Sequence, residues 1–239
     1  MDQRFSGKLA LVSGGTGGLG RAVSLAFLAE GGSVAVPYFD EQEFADLKAA
    51  AHENVARLEG QSIDVTDETA THGFVDGLVA KHGRLDVLVN TVGGYAGGLK
   101  LWEMDSKVFA RMLQLNLRSG FALARAVVPA MLKQGHGAIV NVAAKAAVDH
   151  AAGASAYASS KAAAVAMMDS LAADLKGTGV RVNSILPSII DTKANRAAMP
   201  DADFSKWPKP EEIARVILFL CSDDATVVHG AALPVYGNS

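Results

Sequence analysis

The sequence predicts an α/β fold: one domain, residues 1–239, on a doubly wound parallel sheet of seven strands with helices on both faces. Three observations predict it. Short apolar runs alternate with helix-length segments from end to end, the pattern of repeated βαβ units. The first apolar run passes directly into five glycines within eight residues, Ser13–Gly20, and then into a helical pattern. No Pro/Ser-rich linker, composition shift or internal repeat marks off a second unit. With 239 residues, 50% hydrophobic and 20% charged, the chain has enough apolar surface to bury a large core.

Taken in order, Lys8–Ser13 reads as the first strand and Leu19–Glu30 as the first helix. Ser33–Tyr38, after the Gly31-Gly32 break, reads as the second strand, and Glu41 to about Ala51 as a helix. Further strands are expected at Ser62–Val65, Leu85–Asn90, Ala138–Val142, Arg181–Leu186 and near Ala232–Tyr236. The helix-length segments among them are Ser106–Lys133, Ser155–Gly177 and Glu211–Ser222. Right-handed crossovers would wind these strands into one open sheet. The stretch Thr192–Pro210 contains Pro200, Pro208 and Pro210 and has no regular period, so it reads as a functional loop or lid.

Composition excludes several classes. Lys+Arg number 22 and Asp+Glu 25, for a net charge of -3, and no basic cluster occurs, which argues against nucleic-acid or anionic-membrane partners. The single cysteine, Cys221, cannot form an internal disulfide, which fits a reducing cytoplasm. Met1-Asp2-Gln3-Arg4 lacks the basic start and apolar run of a signal peptide, and no apolar run reaches the ~18 residues of a membrane span. The six histidines show neither HExxH spacing nor close pairing, so no metal is expected.

The glycine turn carries the first chemical signal. A pyrophosphate needs a closely approaching backbone that donates N–H groups and a helix N-terminus aimed at it. Gly14, Gly18 and Gly20 permit both, with Thr16 and Leu19 in the same turn. The segment Ser13–Gly20 resembles the TGxxxGxG cofactor turn of the short-chain dehydrogenase/reductase family, with Ser at the first position. Asp64-Val65, expected to end the third strand, is similar to the family's adenine-contacting Asp-Val pair. Asn90-Thr91-Val92-Gly93 is similar to its NNAG strand end, with two of four residues changed. Asn116, Tyr157 and Lys161 match the catalytic Asn and the Tyr-x3-Lys pair. Pro187-Ser188-Ile189-Ile190-Asp191-Thr192 resembles the PGxIxT turn over the nicotinamide, with Ser in place of Gly. The resemblance runs in order from about residue 8 to 237 and implies a single-domain Rossmann fold and an NAD(P)(H)-dependent oxidoreductase.

Tyr157 and Lys161 lie four apart in a helical segment and so share one face. A free phenol titrates near ~10, so a phenolate at neutral pH needs roughly 4 kcal/mol of help, which an adjacent ammonium can supply. The resemblance implies that Tyr157 exchanges the substrate proton, that Lys161 also holds the nicotinamide ribose, and that Asn116 holds a water linking Lys161 to solvent. One position departs from the family. Its catalytic Ser stands 13 residues before the Tyr, where this chain has Ala144, and no Ser or Thr occurs between Ile139 and Ala154. Losing one donor to a developing oxyanion commonly costs about 10²–10³ in rate. Three explanations stand: an impaired relative, a substitute donor such as Lys145, or a substrate that develops no localised alkoxide.

The last has a precedent in the dihydropteridine reductase branch, which keeps Tyr-x3-Lys without the Ser. The stretches Val92–Gly98, Ala144–Ala147 and Asn195–Trp207 resemble that branch. The resemblance implies reduction of a conjugated imine or carbonyl. The alternatives are a ketone or alcohol dehydrogenase with a substitute donor, and a non-catalytic NAD(P)-binding sensor or scaffold. Tyr95, Met199, Phe204 and Trp207 would form an apolar wall over a flat substrate. At the end of the second strand stands Tyr38, followed by Phe39, Asp40 and Glu41, with no Lys or Arg between Ala22 and Leu47. Carboxylates there would repel a 2′-phosphate, so NAD(H) is favoured over NADP(H), with Arg21 the one nearby cation in the turn's helix. The alanine-rich Ser155–Gly177 segment and the resemblance together imply a homodimer or homotetramer.

Overall fold

The computed structural model describes residues 3–238. Seven strands form one sheet in the order β3-β2-β1-β4-β5-β6-β7, and every neighbouring pair is parallel. In chain order they are β1 (Leu9–Ser13), β2 (Ser33–Tyr38), β3 (Leu58–Ser62), β4 (Val87–Asn90), β5 (Gly137–Val142), β6 (Val180–Pro187) and β7 (Ala232–Val235). The helices are α1 (Gly18–Ala29), α2 (Glu41–Ala50), α3 (Glu68–His82), α4 (Ser106–Leu113), α5 (Ser119–Gln134), α6 (Ser155–Asp174), α7 (Lys193–Ala198) and α8 (Pro210–Cys221).

All five residues of β1 and all four of β4 are buried, as expected for strands covered on both faces, which therefore read as continuous apolar runs. One core lies under α1 and α8, with Phe27, Val36, Val140, Ile217 and Leu218. The other lies under α3, α5 and α6, with Phe74, Leu88, Leu123, Ile139 and Met168. The strand order reverses at β1, which pairs β2 on one side and β4 on the other. In such sheets a crevice opens at that switch point beyond the carboxyl ends of the strands. The glycine turn and the ends of β4, β5 and β6 all meet this edge.

The structure moves one expected strand, interrupts one expected helix and adds a helix the sequence did not show. The third strand is Leu58–Ser62, paired with Val34–Tyr38, so Asp64-Val65 lies in the turn beyond it rather than at its end. This is an edge strand whose residues are mostly part-exposed, so Glu59, Gln61 and Ser62 are tolerated. The apolar signal at Val65 comes from a turn residue tucked into the core. The helical run Ser106–Lys133 is broken by a π-helical turn at Gln114–Arg118 between α4 and α5. Helix α3 has no counterpart in the sequence reading, because its polar residues dilute the apolar stripe. Asp67 starts it by accepting from Thr69 N and Ala70 N, and Gly83 ends it at φ 71.

Candidate active site

The turn after β1 is shaped by contacts that leave no room for side chains. Gly14 has φ +71, a conformation natural to glycine, and a Cβ there would lie 2.7 Å from Thr91 Oγ1. A Cβ on Gly20 would collide with the carbonyl oxygen of Gly14. Thr91 fastens β4 to this turn through its backbone N (2.9 Å) and Oγ1 (2.7 Å), both donating to Ser13 O. Helix α1 begins at Gly18 with no side-chain cap and no acidic residue in its first turn, so its leading N–H groups remain available to an anion. Leu19 is buried and anchors that turn in the core. These features fit the pyrophosphate of a dinucleotide.

The neighbouring expected positions converge on the same edge. Thr192 caps α7 by accepting from Asn195 N at 3.2 Å, and its Cγ2 lies 2.8 Å from where a Gly18 Cβ would stand. The Pro187–Thr192 turn is thus brought against the glycine turn. Pro187 pairs with Val235, Ile190 packs on the core, and Ser188 Oγ donates to Tyr236 O at 2.7 Å. Asn90 Nδ2 donates to Asn141 Oδ1 at 3.0 Å, while Asn90 Oδ1 accepts from Val92 N at 3.2 Å. Asp64 Oδ1 accepts from both Thr66 N and Thr66 Oγ1 at 2.8 Å, and Val65 is buried beside it. Tyr38 stacks its ring on Phe44 of α2, centroids 4.4 Å apart, and its hydroxyl donates to the Glu41 carboxylate at 3.0 Å.

Asn116 and Lys161 come together at Gly93, and Tyr157 stands one turn before Lys161 on α6. A Cβ on Gly93 would lie 2.8 Å from Asn116 Oδ1 and 3.0 Å from Lys161 Nζ. The π-helical turn places Asn116 inward and buried. Its amide clasps the loop after β4: Oδ1 accepts from Gly94 N at 2.9 Å and Nδ2 donates to Gly94 O at 3.0 Å. Nδ2 also donates to Ser160 Oγ at 2.9 Å, and Ser160 Oγ donates to Tyr157 O at 2.8 Å. Ser160 therefore joins Asn116 to α6. Sequence reasoning missed it, because a Ser inside a Tyr-x3-Lys helix turn carries no pattern of its own.

Lys161 is wholly buried and donates to Val142 O at 2.9 Å. Burial pushes its ammonium down to about 8. Burial pushes the Tyr157 phenol up to about 12, with a smaller contribution from the nearby Tyr95 phenol. The Tyr95 ring meets that of Tyr157 edge-on, centroids 5.0 Å apart and planes at 74°. The lowering of the Tyr157 pKa expected from Lys161 is absent in this state. Burial dominates the phenol, and the Lys161 ammonium donates to the Val142 carbonyl instead. At neutral pH Tyr157 is a phenol with a proton to give.

Ala144 brings only a methyl group to this edge, and its residue is buried. Lys145, the substitute weighed above, is engaged elsewhere: Nζ lies 3.7 Å from Asp149 Oδ2 and 5.2 Å from the centroid of the Tyr236 ring. The apolar wall is partly as expected. Tyr95 is 70% exposed, whereas Trp207 is 8% exposed and packs inward. Phe204 lies between Trp207 (centroids 5.0 Å) and the guanidinium of Arg196 (4.8 Å), so this stretch buries its own aromatics. The Trp207 expectation is corrected: an indole this large covers more apolar area by folding under the loop than by facing a cleft.

Residues 8–203 match the short chain dehydrogenase family. The chain is 33% identical to the 3-oxoacyl-acyl-carrier-protein reductase FabG of Thermotoga maritima, over 98% of each chain. Its structure is similar to that of an NAD+-bound xylitol dehydrogenase (TM-score 0.90, 29% identity, covering 98% of this chain and 99% of that one). It is also similar to ElxO with NADP bound (TM-score 0.91, 25% identity, 96% of this chain and 97% of that one). The parallel sheet, the uncapped glycine turn and these matches lead to one conclusion: the chain belongs to the short-chain dehydrogenase family and is an NAD(P)-dependent oxidoreductase.

Proposed function

We propose that this protein is an NADH-preferring reductase of a conjugated imine or carbonyl compound, similar in chemistry to dihydropteridine reductase, with all its residues serving one domain. The observation that carries this reading is the Ala144 methyl, buried where a second donor would be expected, in a chain that keeps Tyr157 and Lys161 on α6 and Asn116 joined to α6 through Ser160. The nicotinamide, when bound, supplies the hydride. Gly14, Thr16, Gly18, Leu19 and Gly20 would hold its pyrophosphate, and Tyr38, Asp64 and Val65 its adenosine. Asn90, Gly93, Pro187, Ile190 and Thr192 would enclose the nicotinamide end. Tyr157 delivers the proton to the substrate heteroatom, and the replacement would come from solvent through Lys161 and a water held by Asn116. When the developing charge spreads over a conjugated ring, one donor suffices. A simple ketone concentrates that charge on one oxygen and calls for the donor that position 144 lacks. The engagement of Lys145 by Asp149 and Tyr236 weighs against its acting as the substitute.

The test is NADH oxidation by the parent, Ala144→Ser and Lys145→Ala proteins, with quinonoid dihydropterin and with a panel of small ketones. The expected result is pterin turnover by the parent, changed less than a few-fold by Ala144→Ser. Ketone activity should appear in trace and rise when the hydroxyl is added. Robust ketone turnover by the parent with none on the pterin sinks the reading. Loss of that ketone turnover in Lys145→Ala would establish the substitute-donor dehydrogenase.

A further inference from the structure

The carboxylates beside β2 do not have equal freedom. Asp40 caps α2, its Oδ1 accepting from Gln42 N (2.8 Å) and Glu43 N (2.9 Å). Glu41 takes the Tyr38 hydroxyl on both oxygens, at 3.1 and 3.0 Å. The sequence points to these two because they directly follow the strand. Glu43, one residue into the second half of the first turn of α2, reaches back to the glycine turn. Its Oε2 accepts from Thr16 Oγ1 at 2.8 Å. The Arg21 guanidinium, the cation that would welcome a phosphate, donates to Asp46 O at 3.3 Å instead.

In dinucleotide-binding sheets the adenosine ribose lies between the glycine turn and the end of the second strand, and the group met there by its 2′ position selects the cofactor. We propose that Glu43, pinned to the turn by Thr16, is the residue that rejects a 2′-phosphate and so sets the preference for NADH. The inference rests on the NADH reading given above. The Thr16–Glu43 bond does two things for that choice. It holds a full negative charge against the turn, where a second anion is repelled across a short gap. It also occupies the Thr16 hydroxyl, which would otherwise be free to donate to a phosphate oxygen. A ribose hydroxyl, by contrast, can donate to the same carboxylate. Asp40 and Glu41 lack this reach, since each already serves a partner on its own side of the crevice.

Glu43 is exposed, and Glu43→Gln keeps an oxygen that accepts from Thr16 while removing the charge. Dissociation constants for NADH and NADPH, read by cofactor fluorescence on the full chain without substrate, give the test. Glu43→Gln should tighten NADPH at least tenfold and change NADH less than threefold to fivefold. Thr16→Val, which frees the carboxylate to swing out, should relax discrimination partway, and Thr16→Ser should restore it. The parent's discrimination should shrink as salt rises from 0.05 to about 0.5 M, which a purely structural role for Glu43 would not produce. The parent's NADH-to-NADPH ratio judges the NADH reading, and the change from parent to Glu43→Gln judges Glu43, so the two fail separately. An NADPH affinity in Glu43→Gln within threefold of the parent overturns the inference, provided the thermal midpoint shows the variant folded. If Glu43→Gln is unfolded, Glu43→Ser is measured in its place against the same threshold.

Discussion

At the scale of single residues, Lys161 and Tyr157 are held in opposite departures from their free state, each by loss of water. The sign of the stability effect follows. Lys161 releases its proton near 8 in the folded chain against 10.5 for an ordinary lysine, so the unfolded chain binds more protons between those values. Stability from this residue is diminished below about pH 8 and rises as pH climbs from there towards 10.5. Cys221 and Tyr157, both pushed up to about 12, act in the other direction once pH passes the ordinary thiol and phenol ranges. The parent should therefore gain stability relative to Lys161→Met as pH rises from 7 to 10, by up to about 3 kcal/mol. Urea unfolding of both proteins across that range measures it, and a constant difference would show that the ammonium pays no desolvation cost. Tyr157→Phe should leave NADH affinity nearly intact and lower turnover at least ~10²-fold, as removal of a general acid does. Full activity in that variant would exclude Tyr157 as the donor.

At the scale of elements, the site depends on how the segment after each strand is fixed. The turn into α1 is the most exacting. Gly20→Ala drives a methyl group into the Gly14 carbonyl, and should weaken NADH binding at least ~10²-fold while lowering stability by roughly 1–3 kcal/mol. NADH titration beside urea unfolding separates the two effects; wild-type binding would mean that the turn can shift without loss. This turn was legible in the sequence because glycine spacing is a direct record of backbone crowding. That Tyr157 and Lys161 share a helix was legible from their spacing of four, whereas Asn116 rested on the family resemblance alone, its π-helical turn leaving no period to read. Strand β3 and helix α3 were not legible, since an edge strand and a polar-rich helix bury too little to impose a period. The links made by Ser160, Glu43 and the Asn116–Gly94 clasp were also hidden. Each joins segments far apart in the chain, which no local pattern encodes. Trp207 misled because its loop position argued for exposure, whereas contacts within its own loop decide its burial.

At the scale of the whole molecule, the two edges of the sheet do different work. The carboxyl edge gathers the glycine turn, Gly93, Ala144 and the Pro187–Thr192 turn. The opposite edge holds Asp86, just before β4, whose buried carboxylate accepts from Leu9 N (2.7 Å) and Arg84 Nε (2.8 Å) and meets His136 Nε2 at 3.0 Å. Arg84 and these hydrogen bonds hold its pKa below the ordinary carboxylate range against the opposing effect of burial. Its stabilisation is complete above that range and is lost as pH falls through its lowered folded value. Asp86→Ala leaves Leu9 N without its partner and should cost roughly 2–4 kcal/mol. NADH affinity of the folded protein should be unchanged, because the length of β4, roughly 13 Å, separates the two edges. Weaker NADH binding in a folded Asp86→Ala protein would show that the edges are coupled through the strand.

The closed base of the Thr192–Trp207 loop has a consequence for how such a protein can change over generations. Asp191 N donates to Pro208 O at 3.0 Å, so the excursion between β6 and α8 is pinched closed at its base. Within the excursion, Arg196 grips Asp191 and covers Phe204, so the loop is internally braced. An insertion beyond such a neck does not have to close a new gap, and doubling a loop's length costs only about 0.6 kcal/mol in closure entropy. The neck thus makes Thr192–Trp207 a cassette. Residues can be gained, lost or exchanged there while the strands and the glycine turn keep their places.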